Sequence, residues 1–218
     1  MKVALGILFA ALATLATPPT IRAQSLSIGL RGTSSVPIGS FAEDVAYAQN
    51  QSASNTTLIN GARNGFGYGL DVALGIGRLG VYGGFDQIEL DCSISSCGSD
   101  GNYTLKGVSA GMKLFGSRIS LLRPFIKGGV TFNQLRGGYG SSSHRLTTDK
   151  APGYEVGAGA DISLLGLLSL APQVRYVGQN LKVKVPGVAS PPPDGQGVNY
   201  ITFDLGLAVR WSLLSMHL

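Results

Sequence analysis

Chemically versatile side chains are scarce in this chain. It has two cysteines, Cys92 and Cys97, two histidines, His144 and His217, and a single tryptophan, Trp211. A structural metal centre takes about four closely placed Cys or His ligands, and no such set is spaced here; no cofactor motif is present either. Charged residues make up only 13% of the chain. No Lys/Arg cluster alternates with aromatics, which argues against a nucleic-acid partner. After residue 23 no apolar run reaches 18 residues, so no transmembrane helix is expected. A barrel strand needs only about 9–11 residues and escapes that test.

Glycine, by contrast, is abundant. There are 32, all but one of them after residue 23, well above the roughly 7% of an ordinary domain. They follow no collagen period, and many sit inside alternating segments such as Gly65-Phe66-Gly67-Tyr68-Gly69-Leu70. Glycine weakens an ordinary strand, but it suits the inner face of a small, tightly curved barrel.

The N-terminus has the pattern of a secretory leader. Lys2 precedes an uncharged run from Val3 to Ala16, Pro18 and Pro19 break it, and Ala23 offers a small residue for cleavage. The run is too short to span a bilayer as a helix, which takes roughly 20 residues. Cleavage after Ala23 leaves a single barrel domain over 24–211 and a short tail, 212–218; losing Lys2 and Arg22 lowers the formal charge from +5 to +3. In an exported protein, the C-x4-C pair Cys92 and Cys97 is expected to form a disulfide closing a small loop.

The segment 200–211, YITFDLGLAVRW, sets the template. Ile201, Phe203, Leu205, Leu207, Val209 and Trp211 share one face. Thr202, Asp204, Gly206, Ala208 and Arg210 share the other. The same alternation recurs over about 25–33, 65–74, 78–90, 103–115, 122–135, 153–162 and 167–185, which makes eight strands. The connections after the second, fourth and sixth strands are short. Those after the first, third, fifth and seventh, including 42–64, 137–149 and 186–197, are long and polar. This sorting matches an outer-membrane barrel, with short periplasmic turns and longer outer loops. The expected fold is all-β: a closed, antiparallel, eight-stranded, up-and-down transmembrane barrel. Its inner face would carry a charge network of Arg31, Asp71, Arg78, Asp86, Lys113, Lys127, Glu155, Asp161, Arg175, Asp204 and Arg210, in which the signs nearly balance. Buried charges of this kind must pair, because isolated ones cost several kcal/mol.

On these residues the chain resembles the small eight-stranded outer-membrane barrels of Gram-negative bacteria, the OmpX-like and OmpA-barrel-like proteins, over the whole mature length. The sharpest match is Asp204-x-Gly206-x-x-Val209-x-Trp211, which looks like the terminal signal read by the outer-membrane insertion machinery. Family members usually stop at the final aromatic, whereas Ser212 to Leu218 follow here. The resemblance implies a bacterial outer-membrane location and a non-enzymatic, structural or surface-interacting role, in adhesion or defence, through loops that meet an unknown partner. The barrel would be monomeric. Arg136, Arg145, Lys150, Lys182 and Lys184 fall near the expected outer rim, where they could meet lipopolysaccharide phosphates. Tyr68, Tyr154, Tyr176, Phe66 and Trp211 would join aromatic girdles.

Three other readings stand beside this one. A narrow pore for ions or small solutes would follow the inner charges, but an eight-stranded barrel has room for side chains rather than a channel. A lipid A-modifying enzyme would need His144 to meet a serine and an acid, with Ser141, Ser142, Ser143 and Asp149 at hand. A soluble secreted lipid-binding barrel would need an apolar interior.

Overall fold

The computed structural model describes residues 24–43, 59–93, 101–139, 144–184 and 195–212. The leader with its expected cleavage site, Cys97 and the tail beyond Ser212 lie outside these residues.

Ten strands are present among them: β1 (Gln24–Ile38), β2 (Ala62–Ile76), β3 (Leu79–Cys92), β4 (Asn102–Phe115), β5 (Leu122–Tyr139), β6 (His144–Thr148), β7 (Ala151–Leu165), β8 (Leu168–Leu181), β9 (Val183–Lys184) and β10 (Gln196–Ser212). Eight of them, β1, β2, β3, β4, β5, β7, β8 and β10, form a ring in which each pairs antiparallel with the next. β10 closes the ring on β1, from Ser25 opposite Ser212 to Ile38 opposite Asn199. Closure leaves no unpaired edge, the condition for a sheet in hydrocarbon.

Every expected strand is present; most ends run further, while β3 starts one residue later than expected and β8 runs only from Leu168 to Leu181. The largest departure lies in 137–149, read from sequence as loop. Here β5 continues to Tyr139 and turns back as β6, pairing Arg136 with Thr147 and Tyr139 with His144. Thr148 locks the base of this hairpin: the Leu135 amide donates to its Oγ1 at 2.9 Å, and Gln134 Nε2 donates to its carbonyl at 3.0 Å. The stretch expected as one strand over 167–185 is broken at Lys182, and the short β9 beyond it pairs with β6. β6 and β9 therefore carry the wall outward beyond β7 and β8. Pro37, Pro124, Pro152 and Pro172 all sit within strands. β10 includes Ser212, so the tail starts one residue later than expected.

Alternation sorts the side chains as the sequence suggests. The outer surface is a continuous apolar belt, with Leu30 68%, Phe66 75%, Met112 57% and Leu205 56% exposed. Water would penalise such a surface, since an ordinary monomer exposes no apolar patch beyond a few hundred Å². Lipid does not. Tyr68 and Tyr154 are exposed on this surface, Trp211 is near 38%, and the hydroxyls of Tyr154 and Tyr176 lie 3.5 Å apart.

Inside, certain glycines leave room for large neighbours. A Cβ on Gly69 would lie 2.8 Å from Arg31 Nε. A Cβ on Gly111 or Gly129 would lie 2.7 or 2.6 Å from the Tyr82 hydroxyl. These glycines on β2, β4 and β5 are slots through which a guanidinium and a phenol cross the narrow interior.

Candidate functional site

The candidate site is the barrel interior with its two mouths. Its centre is Arg175 on β8, 1% exposed. Arg175 Nε donates to Asp204 Oδ2 on β10 at 2.6 Å. Nη1 reaches Glu155 Oε2 on β7 at 3.1 Å and Asp86 Oδ2 on β3 at 3.2 Å. Arg31 on β1 binds Asp86 at 2.5 Å and also pairs with Asp71 on β2. Lys127 on β5 lies 3.2 Å from Glu155 Oε1 and 4.3 Å above the Tyr82 ring, while the Tyr82 hydroxyl donates to the same carboxylate. Thr202 Oγ1 donates to Asp204 at 3.2 Å. One polar network thus crosses seven of the eight wall strands, from β1 through β3 and β5 to β10. A buried pair is weak evidence for net stability, but removing one partner is costly because it strands the other.

Most residues named from sequence for the inner face belong to this network or adjoin it. Lys113 is half-buried, with its Nζ 4.8 Å above the Phe125 ring. Asp161 and Arg210 form a separate pair nearer the inner mouth. Arg78 departs from the expectation. It lies in the turn between β2 and β3, fully outside the network, and its Nη2 faces Ser117 Oγ at 3.5 Å. The alternation placed it on an inner face, but the strand starts one residue later, so the turn carries it away.

The outer half of the interior has a different character. Ile88 and Leu90 of β3, Tyr103 and Leu105 of β4, Leu135 of β5, Val177 and Leu181 of β8, and Val198 and Tyr200 of β10 form a buried apolar cluster. Two residues of the first long connection complete it. Phe41, in a 3-10 turn over Gly39–Phe41, packs its ring 5.8 Å from that of Tyr103. Ile59 is 1% exposed, and its amide donates to Gln196 Oε1 at 2.7 Å. The Tyr103 hydroxyl donates to the Asn60 carbonyl at 2.9 Å, and the Gly61 amide to Glu43 at 2.8 Å. The described ends of this connection, residues 39–43 and 59–61, therefore pack inward at the outer mouth. The interior is charged only in part. Its apolar half is filled by the protein's own side chains, and the apolar belt outside rules out the soluble barrel. Phe41 and Ile59 carried no sequence signal, because each stands alone in a polar stretch without period.

At the outer rim, Arg136, Lys150 and Lys182 are exposed. Arg145 stands opposite Gly138, and Lys184 opposite Thr147. Lys106 on β4, missed from sequence, is exposed opposite Gln134, next to Arg136; its signal was the outward register it shares with Val108 and Met112. His144 stands in β6, Asp149 is exposed, and Ser141, Ser142 and Ser143 lie outside the described residues. Among the described residues, no group of three or more His, Cys, Asp or Glu is placed to hold a metal. In the terminal strand, Asp204 is buried against Arg175, while Gly206, Val209 and Trp211 continue β10 towards the inner mouth.

No protein-family model and no curated sequence matches the chain. Solved structures do. Neisserial surface protein A aligns with a TM-score of 0.56 at 12% identity, over 86% of this chain and 97% of that one. The outer membrane protein OprG from Pseudomonas aeruginosa gives 0.54 at 14% identity, over 88% and 97%. The outer membrane protein AlkL, solved in DMPC bilayers, gives 0.51 at 16% identity, over 93% and 97%. At such identities the likeness is one of fold. The protein is an eight-stranded antiparallel barrel of the bacterial outer-membrane class. Fold and apolar belt together place it in the outer membrane.

Proposed function

We propose that the protein is a non-enzymatic, monomeric outer-membrane barrel that works from its outer end, as a structural element of the envelope and a contact surface. The basic strip along the outer rim would hold lipopolysaccharide phosphates, and the long connections would present themselves to a partner outside the cell. The carrying observation is the grouping of the basic residues. Lys106, Arg136, Arg145, Lys150, Lys182 and Lys184 fall on β4, β5, β6, β9 and the breaks beside them, one contiguous stretch of wall. The neighbouring β3 carries exposed Glu89 and Asp91 instead. A cation near an anionic membrane surface contributes roughly 1 kcal/mol, so a strip of several is enough for firm, salt-sensitive binding.

Two features support the non-enzymatic part. The interior carboxylates and cations are engaged with one another, and the inward-packed ends of the first connection form a plug at the outer mouth. The same features weigh against the pore. We assign the Cys92–Cys97 bridge to the connection after β3, where it would shorten the loop. Cys92 ends that strand.

The test is binding of purified lipopolysaccharide to the barrel in micelles, before and after removal of the lipid phosphates. With Lys106, Arg136, Lys150 and Lys182 all changed to Glu, affinity should drop at least tenfold. Unchanged affinity, or indifference to the phosphates, would sink the reading.

A further inference from the structure

We propose that the periplasmic mouth of the barrel is a binding site for a phosphate group. A cavity of about 710 Å³ opens there, enclosed by the three short turns and the ends of β1 and β10. Four arginines line it: Arg78 from the turn after β2, Arg118 from the turn after β4, Arg123 at the start of β5, and Arg210 on β10. Among the described residues no carboxylate lines it with them. Asp161 lies close by, engaged by Arg210. Arg123 stands within electrostatic reach of the other three arginines and of Asp161.

The contacts of these arginines leave room for an anion. Arg78 Nη2 faces Ser117 Oγ at 3.5 Å, and Arg118 Nη2 donates to Ser163 Oγ at 3.1 Å. Arg123 Nη2 donates to the Gly77 carbonyl at 2.6 Å, and its guanidinium lies 4.3 Å from the centre of the Phe115 ring. For Arg78, Arg118 and Arg123 each contact uses one of five N–H donors and the partner is neutral, whereas Arg210 is paired with Asp161. The contacts of these three hold their guanidinium planes in place without neutralising them. Fixed guanidinium forks and serine hydroxyls around one cavity suit a tetrahedral oxyanion, which accepts bidentate bonds. Inward of Arg123, Phe115 and Phe125 pack edge to face at 6.0 Å.

The phosphate has two sources in reach. One is free phosphate in the periplasm. The other is the headgroup of an inner-leaflet phospholipid, because Ile119, Leu121 and Leu167 on the same turns, and Leu164 at the end of β7, are exposed and apolar.

The experiment uses the full chain folded in maltoside micelles, which contain no phosphate. Inorganic phosphate and, separately, short-chain phosphatidylglycerol are titrated in by calorimetry. Saturable binding is expected for at least one, weakened by salt and reduced roughly tenfold or more in Arg118→Ala/Arg123→Ala. Arg78→Gln, in an exposed turn where folding is not at stake, should weaken binding several-fold, while the rim variant Lys106→Ala should leave it unchanged. Equal affinity for the two probes assigns the site to phosphate itself; tighter binding of the lipid assigns it to a headgroup. Absence of saturable binding by either probe, or binding indifferent to Arg78→Gln, overturns the proposal.

Discussion

The two halves of the interior fill the same narrow space in opposite ways. Towards the periplasm, the inner wall carries Arg31, Asp71, Asp86, Lys127, Glu155, Arg175 and Asp204, joined by hydrogen bonds and opened by glycine slots. Towards the outside, β3, β4, β5, β8 and β10 carry Ile88, Leu90, Leu105, Leu135, Val177 and Val198, sealed by Phe41 and Ile59 from a connection. Strand register is continuous between the halves; Asp86 and Ile88 are successive inward residues of β3. The charged half depends on direction and pairing, because a guanidinium must find its carboxylates. The apolar half depends on volume. The first should therefore fail abruptly when one partner is lost, and the second should yield in proportion to the volume removed.

The comparison breaks most readily at Arg175. Arg175→Ala leaves Asp86, Glu155 and Asp204 without their shared cation and should cost about 3–5 kcal/mol in urea unfolding of the barrel in vesicles; a loss below 1 kcal/mol would show that the network is incidental. In the other half, Leu90→Ala should cost about 2–5 kcal/mol, with Leu90→Met nearly neutral. If both substitutions cost the same, volume is not what holds the plug. Gly129→Ala should cost about 1–3 kcal/mol by overpacking, since the new Cβ would lie 2.4 Å from the Ala110 carbonyl and 2.6 Å from the Tyr82 hydroxyl. In a Tyr82→Phe background that cost should shrink without vanishing, because only one of the two clashes is relieved; additive costs would place the phenol elsewhere. The smallest effect belongs to Gln196→Ala, which removes the Ile59 amide's acceptor. About 1 kcal/mol should be lost from the plug alone, read as faster hydrogen exchange at Ile59 and Gly61 with the wall strands unchanged.

Most of the wall was legible in the sequence because its two solvents are so unlike. Lipid on one side and a polar lumen on the other impose a strict period of two, and Phe203, Asp204, Leu205 and Gly206 declare their sides by composition alone. Loop lengths likewise show which end is which. Pairing was not legible. Asp86 was recognisable as inward, but its junction with both Arg31 and Arg175 depends on strands distant in sequence. The outer apolar half was present in the alternation, in Leu105 and Leu135, yet the acids and bases drew attention from it. The β5–β6 hairpin hid in GGYGSSSHRLTTD, whose glycines and serines read as loop although its outer residues pair. Arg78 was misplaced by a single residue, the distance that moves a side chain from one face to the other.

The seam between β1 and β10 bears on how the molecule comes into being. Leu26, near the start of β1, stands opposite Trp211, near the end of β10. Until the ribosome has released the C-terminal strand and export has delivered it, β1 lacks one of its two neighbours. A chain truncated anywhere before that point has an open sheet and nowhere to bury its backbone. Completion of β10 is thus the condition for closure, and a copy that ends before it keeps a bare edge on β1.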